Sequence, residues 1–251
     1  MPTPFYHLSV AEELLTHPAL PATSRTFFLQ HKGAFLLGNT APDVQVISGQ
    51  PREVTHFFNL PIRASDQPAW EKCLLEYPSV ANSPELPAEQ AAFLIGYLCH
   101  LQADWFWVKE VFAPVFGLHS SWGTFRQRLY LHNVLRAYLD REILPHLGNG
   151  TSSYMQAATP EKWLPFVEDA FLWQWRDLLA AQLLPDAQVL TVEVFARRQD
   201  IDPREFQRLL DSEERLEAEI FNHISRSTLG LYRQRLVERN LALIRSYLGK
   251  M

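Results

Sequence analysis

Apolar residues recur at helical spacing along almost the whole chain, as at Leu8, Ala11, Leu14 and Leu15 and again at Phe125, Leu129, Leu135 and Leu139. A period near 3.6 puts such residues on one face of a helix, whereas a half-buried strand needs strict alternation. Alternation with clustered β-branched residues is scarce, so the pattern predicts a nearly all-α, multi-helix bundle. Segments rich in Pro, Gly, Asn and Ser divide it: HPALPATS closes the first helix, GNTAPD precedes Asp43, and SPELP opens a long helix carrying His100. Further stops fall at FAPVFG, HLGNGTSS, LLPDAQ and DIDPRE. The best candidate boundary is HLGNGTSS, because Gly148, Asn149 and Gly150 lead into small polar residues and then a new apolar pattern. The expected organisation is a helical domain over 1–147 with a C-terminal helical extension, 148–251, packed on it.

One apolar stretch carries polar groups that a core does not hold cheaply. YLCHLQADWFW reads as a buried helix, and its His100 and Asp104 stand four residues apart on one face. An ionised carboxylate in such a place costs several kcal/mol or more unless a cation or hydrogen-bond donor compensates it. Zinc accepts imidazole nitrogen and carboxylate oxygen, and one ion answers both groups; a plain hydrogen-bonded His–Asp pair is the alternative. Asp43 ends FLLGNTAPD, where Gly38 and Pro42 can stop a helix and turn the carboxylate inward, although a helix-capping Asp reads the same. His56 lies in REVTHFF against two phenylalanines, a setting that suits a core histidine as well as a ligand. His7 opens the first amphipathic helix on the face that holds Ala11 and Leu14. All five candidate ligands precede the predicted boundary.

Composition narrows the choice of partners. With 23 basic and 28 acidic residues and a formal charge of −5, the chain has no overall electrostatic case for gripping duplex nucleic acid. Cys73 and Cys99 sit among apolar neighbours and are expected to be buried reduced thiols, which leaves any metal to His and Asp. No run approaches the roughly 20 apolar residues that cross a bilayer. The opening MPTPFYHLSVAEELLTH lacks the basic start and unbroken apolar core of a secretion signal, so a cytoplasmic address is expected.

Four segments in order, FYHLSVAEELL, FLLGNTAPD, REVTHFF and AAFLIGYLCHLQADWFW, resemble the zinc-dependent phospholipase C family, related in fold to fungal single-strand nucleases. The resemblance spans about residues 1–145 and implies that fold. It implies that the residues matching Asp43, His56, His100 and Asp104 bind zinc, that Asp104 bridges to a second ion, and that His7 helps to hold that ion. Two departures follow. Family members begin, once a signal is removed, with a tryptophan whose amino group and carbonyl bind metal, whereas this chain begins Met1, Pro2. Their third ion takes two histidines and a glutamate, the last pair spaced HxxxE; LHNVLRAYLDRE offers His132 but puts Arg136 at the glutamate position. His119 is the candidate for the other histidine and Asp140 for a substitute carboxylate. The expected cofactor is therefore one or two zinc ions, with no full third site.

Such a centre implies hydrolysis of a phosphodiester, either a phospholipid headgroup or a small phosphodiester, by zinc-activated hydroxide with Asp43 as general base. Arg52, one turn before His56, is open to three readings: phosphate contact, surface guanidinium or ion-pair partner. Trp105, Phe106, Trp107 and Phe112, and the Trp163, Trp173 and Trp175 group, read as core before substrate walls. Glu213, Glu214, Glu217 and Glu219 read as a solvated face, and the C-terminal helices show no convergent chemistry. The alternative function is a non-catalytic, metal-stabilised helical binding protein with a degraded site.

Overall fold

A computed structural model describes residues 1–148 and 150–249; Asn149, inside the predicted boundary segment, lies outside the described residues. Among the described residues there are 14 α-helices and no strand, the all-α class that the periodicity predicts. The first half holds α1 (Pro4–Thr16), α2 (Ala22–Gln30), α3 (Lys32–Gly38), α4 (Gln45–Ser48), α5 (Arg52–His56), α6 (Ala69–Glu76) and α7 (Ala88–Trp107). The second holds α8 (Phe125–Ile143), α9 (Thr151–Gln156), α10 (Asp169–Gln182), α11 (Thr191–Gln199), α12 (Pro203–Leu210), α13 (Glu213–Leu216) and α14 (Arg226–Leu248). Wider π-helical turns extend α7 over Val108–Phe116 and α13 over Glu217–Phe221.

The organising element is α7, buried from Ala91 to Trp107 except at half-buried Phe106. A helix apolar on every side is covered on every side; α3, α6 and α14 pack around this one. Two glycines bring α3 and α7 into backbone contact. A Cβ on Gly96 would stand 2.3 Å from the Phe35 carbonyl oxygen, and one on Gly38 would stand 1.9 Å from that of Phe93. The approach sets the carbonyl of Asn39, just past α3, against the His100 ring. Gly96→Ala is therefore expected to push the helices apart, costing about 2 kcal/mol or more in urea unfolding. An unchanged unfolding midpoint would show that the contact is not tight.

Hydrophobic packing continues without a break from Phe5 to Tyr247. The C-terminal helices tie directly to the first half: Trp175 on α10 donates its indole N–H to the Thr40 carbonyl at 2.9 Å, three residues before Asp43. Asp140 on α8 accepts from the hydroxyls of Thr3, the N-cap of α1, and of Thr191, the first residue of α11. Trp105, Trp107, Trp163 and Trp175 are core, as expected, but Trp173 is 47% exposed, a departure from helical-spacing burial. Its indole N–H bonds the Pro160 carbonyl while its face meets solvent. Cys73 and Cys99 are free and buried, and burial pushes both thiols up. Among the described residues no helix is long and apolar enough to cross a membrane.

Candidate metal centre

The five candidate ligands converge from four elements, His100 and Asp104 both standing on α7. The N-terminal turn of α1, capped by Thr3 and opened by Pro4, holds His7 on its buried face. After α3 stops at Gly38, a short 3₁₀ turn over Ala41–Val44 carries Asp43. His56 is the last residue of α5, where Phe57 adopts a left-handed backbone with φ 62° and ends the helix. Tyr97 from α7 bonds the carbonyl of Thr55 and so fixes α5 beside α7.

Asp104 lies at the middle of the cluster. Its Oδ2 is 3.4 Å from His56 Nε2 and 3.8 Å from His100 Nε2, while its Oδ1 is 3.4 Å from His7 Nε2. Asp43 Oδ1 is 3.5 Å from His56 Nε2. Two ligands held about 2 Å from one ion at a tetrahedral angle stand roughly 3.3 Å apart, so these separations suit a shared cation. Two overlapping groups result, His7 with His100 and Asp104, and Asp43 with His56 and His100, each with ligand atoms within 4.8 Å of one another. The His7 and His100 rings stack at 3.8 Å between centroids.

Hydrogen bonding turns the right nitrogens inward. His100 Nδ1 lies 2.8 Å from the Asn39 carbonyl, which only accepts, so Nδ1 carries the proton and Nε2 keeps its lone pair for the centre. Nε2 of His7, His56 and His100 and Oδ1 of Asp104 are all buried without a hydrogen-bond partner. A buried acceptor left so costs about 1–3 kcal/mol, and four converging on one point are what a cation would satisfy. The donor set, imidazole and carboxylate, is the one zinc takes.

Charge states agree. Burial, reinforced by the proximity of His100, lowers the His7 pKa to about 4 against the pull of Asp104. Burial also lowers His56, aided by Arg52, and His100. Burial alone would raise both aspartates; the close approach of His56 and the charge of His100 outweigh it for Asp43, whose pKa falls to about 2. At Asp104 burial is likewise overcome by His100, His7, Arg52 and His56, which hold it well below the usual carboxylate range. At neutral pH the cluster is three neutral imidazoles and two carboxylates, the protonation a divalent ion requires.

Other residues singled out in the sequence behave differently. Arg52 forms an ion pair, its Nη2 2.7 Å from Asp104 Oδ2 and its guanidinium over the Phe58 ring. His132 is not at the centre: its Nε2 accepts from the Trp107 indole at 2.9 Å, inside a cage of Phe112 and Phe116. His119 is exposed in a turn, and neither it nor His132 nor Asp140 joins a group of metal-ligating atoms among the described residues. Both carboxylate oxygens of Asp140 are taken by threonine hydroxyls, and burial raises its pKa to about 7. The Met1 amino group is enclosed near the cluster; burial and then Arg136 lower its pKa, opposed by Asp104 and Asp43.

A family model described as zinc-dependent phospholipase C matches residues 6–176. The chain belongs to the zinc-dependent phospholipase C family. Comparisons with curated proteins and with solved structures return no match. Within this zinc-dependent phospholipase C domain all five converging side chains fall inside the matched segment. The sequence reading missed a second feature of the domain: Asp43 lines a cavity whose other walls come from α1, α4, α8, α10 and α11. Single arginines and leucines in helices carry no signal of a shared cavity, so only packing reveals it.

Proposed function

We propose that this protein is a zinc-dependent phosphodiester hydrolase, with one or two zinc ions held by His7, Asp43, His56, His100 and Asp104. The observation that carries the reading is the convergence of three unpartnered imidazole nitrogens and an unpartnered carboxylate oxygen at ligand spacing. Zinc would supply a water acidified to a pKa of roughly 7 and a counter-charge for the phosphoryl oxygens. Asp43 is 20% exposed against 1% for Asp104, which makes it the ligand carboxylate that meets the cavity. Ionised at neutral pH, it accepts the proton from the attacking water as general base. Arg52 holds Asp104 in place through the ion pair, and Asn39 holds His100, so the ligands are positioned before substrate arrives.

The test combines metal analysis of the purified chain with turnover of bis-p-nitrophenyl phosphate and short-chain phospholipids. At least one zinc per chain and hydrolysis abolished by chelation are expected. Zinc without turnover of any phosphodiester would favour the non-catalytic binding protein, and absence of zinc would end both readings.

A further inference from the structure

The cavity at Asp43 is built unlike the metal cluster beside it. It encloses about 130 Å³, below the roughly 300–1,000 Å³ of a drug-sized site, and so takes a small headgroup rather than a stacked base. Two guanidiniums face it, Arg136 from α8 and Arg198 from α11. Arg136 is packed over the Phe195 ring at 4.3 Å, its Nε is buried without a hydrogen-bond partner, and burial lowers its pKa to about 10. Among the described residues neither arginine forms an ion pair, although Arg52 and the exposed Arg226 both do. Arg136 donates to Asn133 Oδ1 at 3.1 Å and to the Pro2 carbonyl at 3.5 Å, neither of them charged, so the lining sets two unpaired guanidiniums against the single carboxylate of Asp43, an excess of positive charge that suits an anion.

Apolar residues surround those cations. Val46, Leu178 and Leu190 line the cavity and are 43%, 36% and 37% exposed, three of the molecule's exposed large hydrophobics gathered at one mouth. Val194 continues that surface inward. Single exposed leucines need no explanation, but a cluster at the rim of a cationic cavity does.

We propose that this cavity seats an anionic amphiphile, a phosphoryl ester whose charged oxygens meet Arg136 and Arg198 and whose alkyl chain lies over Val46, Leu178, Leu190 and Val194. The inference rests on the hydrolase reading for its consequence: the enzyme selects anionic over zwitterionic phospholipid substrates. A choline headgroup would add a positive charge to a lining that already sets two guanidiniums against the one carboxylate of Asp43, and like-charge juxtaposition contributes to such discrimination. Leu178, Leu190, Val194 and Arg198 follow residue 176, while Arg136 and Val46 lie within the family match, so the cavity joins the matched segment to the stretch beyond it.

Calorimetric binding of octyl phosphate, octylphosphocholine and inorganic phosphate to the full chain, with zinc and after chelation, tests the proposal independently of turnover. Octyl phosphate is expected to bind at least about tenfold more tightly than either other probe, and to keep binding after chelation. Arg198→Gln, at an exposed position, should erase most of the preference over octylphosphocholine; Arg136→Gln should do the same, and Arg136→Lys should restore part of it. Equal binding of octylphosphocholine, or indifference to both arginines, would overturn it. Inorganic phosphate binding as tightly as octyl phosphate would remove the alkyl component and with it the amphiphile. Loss of all binding on chelation would assign the anion to the metal instead. Should no phosphodiester be turned over while the octyl phosphate preference persists, the hydrolase reading fails and the anion site stands.

Discussion

Asp43→Asn is expected to lower kcat on bis-p-nitrophenyl phosphate by roughly 10²–10⁴-fold at saturating zinc, the range associated with loss of a positioned general base. The amide keeps the shape of the side chain and an oxygen 3.5 Å from His56 Nε2, so zinc is weakened at this position rather than abolished. What disappears is a proton acceptor at the cavity wall, because a neutral amide oxygen does not take a proton at working pH. Asp43 is the more exposed of the two aspartates. The measurement is single-turnover kinetics with zinc content determined on the same sample. Full activity in the variant would remove Asp43 from the chemistry and leave it a ligand only.

Asp104→Asn is expected to act on the metal itself. Asp104 is 1% exposed and both its oxygens face imidazole nitrogens, Oδ1 toward His7 and Oδ2 toward His56 and His100. Its two oxygens reach different imidazoles, so removal of its charge weakens the donor set on both sides of His100, the residue the two groups share. Zinc is expected to fall well below one equivalent after dialysis, with hydrolysis reduced to background. Stability offers a second readout, since a ligand that binds only the folded state raises the unfolding midpoint by mass action. Chelation should lower the thermal midpoint of the unaltered chain and leave that of Asp104→Asn unmoved. A variant that retained full zinc and the same response to chelator would show that His7, Asp43, His56 and His100 suffice, and the bridging geometry would be incidental.

Much of the centre was legible because its chemistry conflicts with its surroundings. His100 and Asp104 interrupt an otherwise apolar helix at a four-residue spacing, which no packing requirement explains. Gly38 and Pro42 bracket the turn that delivers Asp43, and both act where backbone freedom or its restriction decides the chain path. Arg52 was open among three readings, since a helix-surface guanidinium looks the same in sequence whether it meets solvent, substrate or the Asp104 carboxylate. The family resemblance offers His132 as a third-site histidine, yet its Nε2 accepts from the Trp107 indole. The absence of visible chemistry in the C-terminal helices was a statement about motifs, and a cavity wall needs none: Leu178, Leu190 and Arg198 become informative only when α10 and α11 fold back against Asp43.

Periodicity, composition and the order of ligand-bearing segments were enough to establish a helical protein with zinc-type donors in its first half, because those properties are local to a turn or a short segment. Which donors stand at ligand spacing, which arginine pairs with Asp104 and which two face one cavity depend on contacts between residues up to about a hundred and fifty positions apart. Those contacts are set by side-chain shape in a close-packed interior, where one glycine at Gly96 decides whether Asn39 can reach His100.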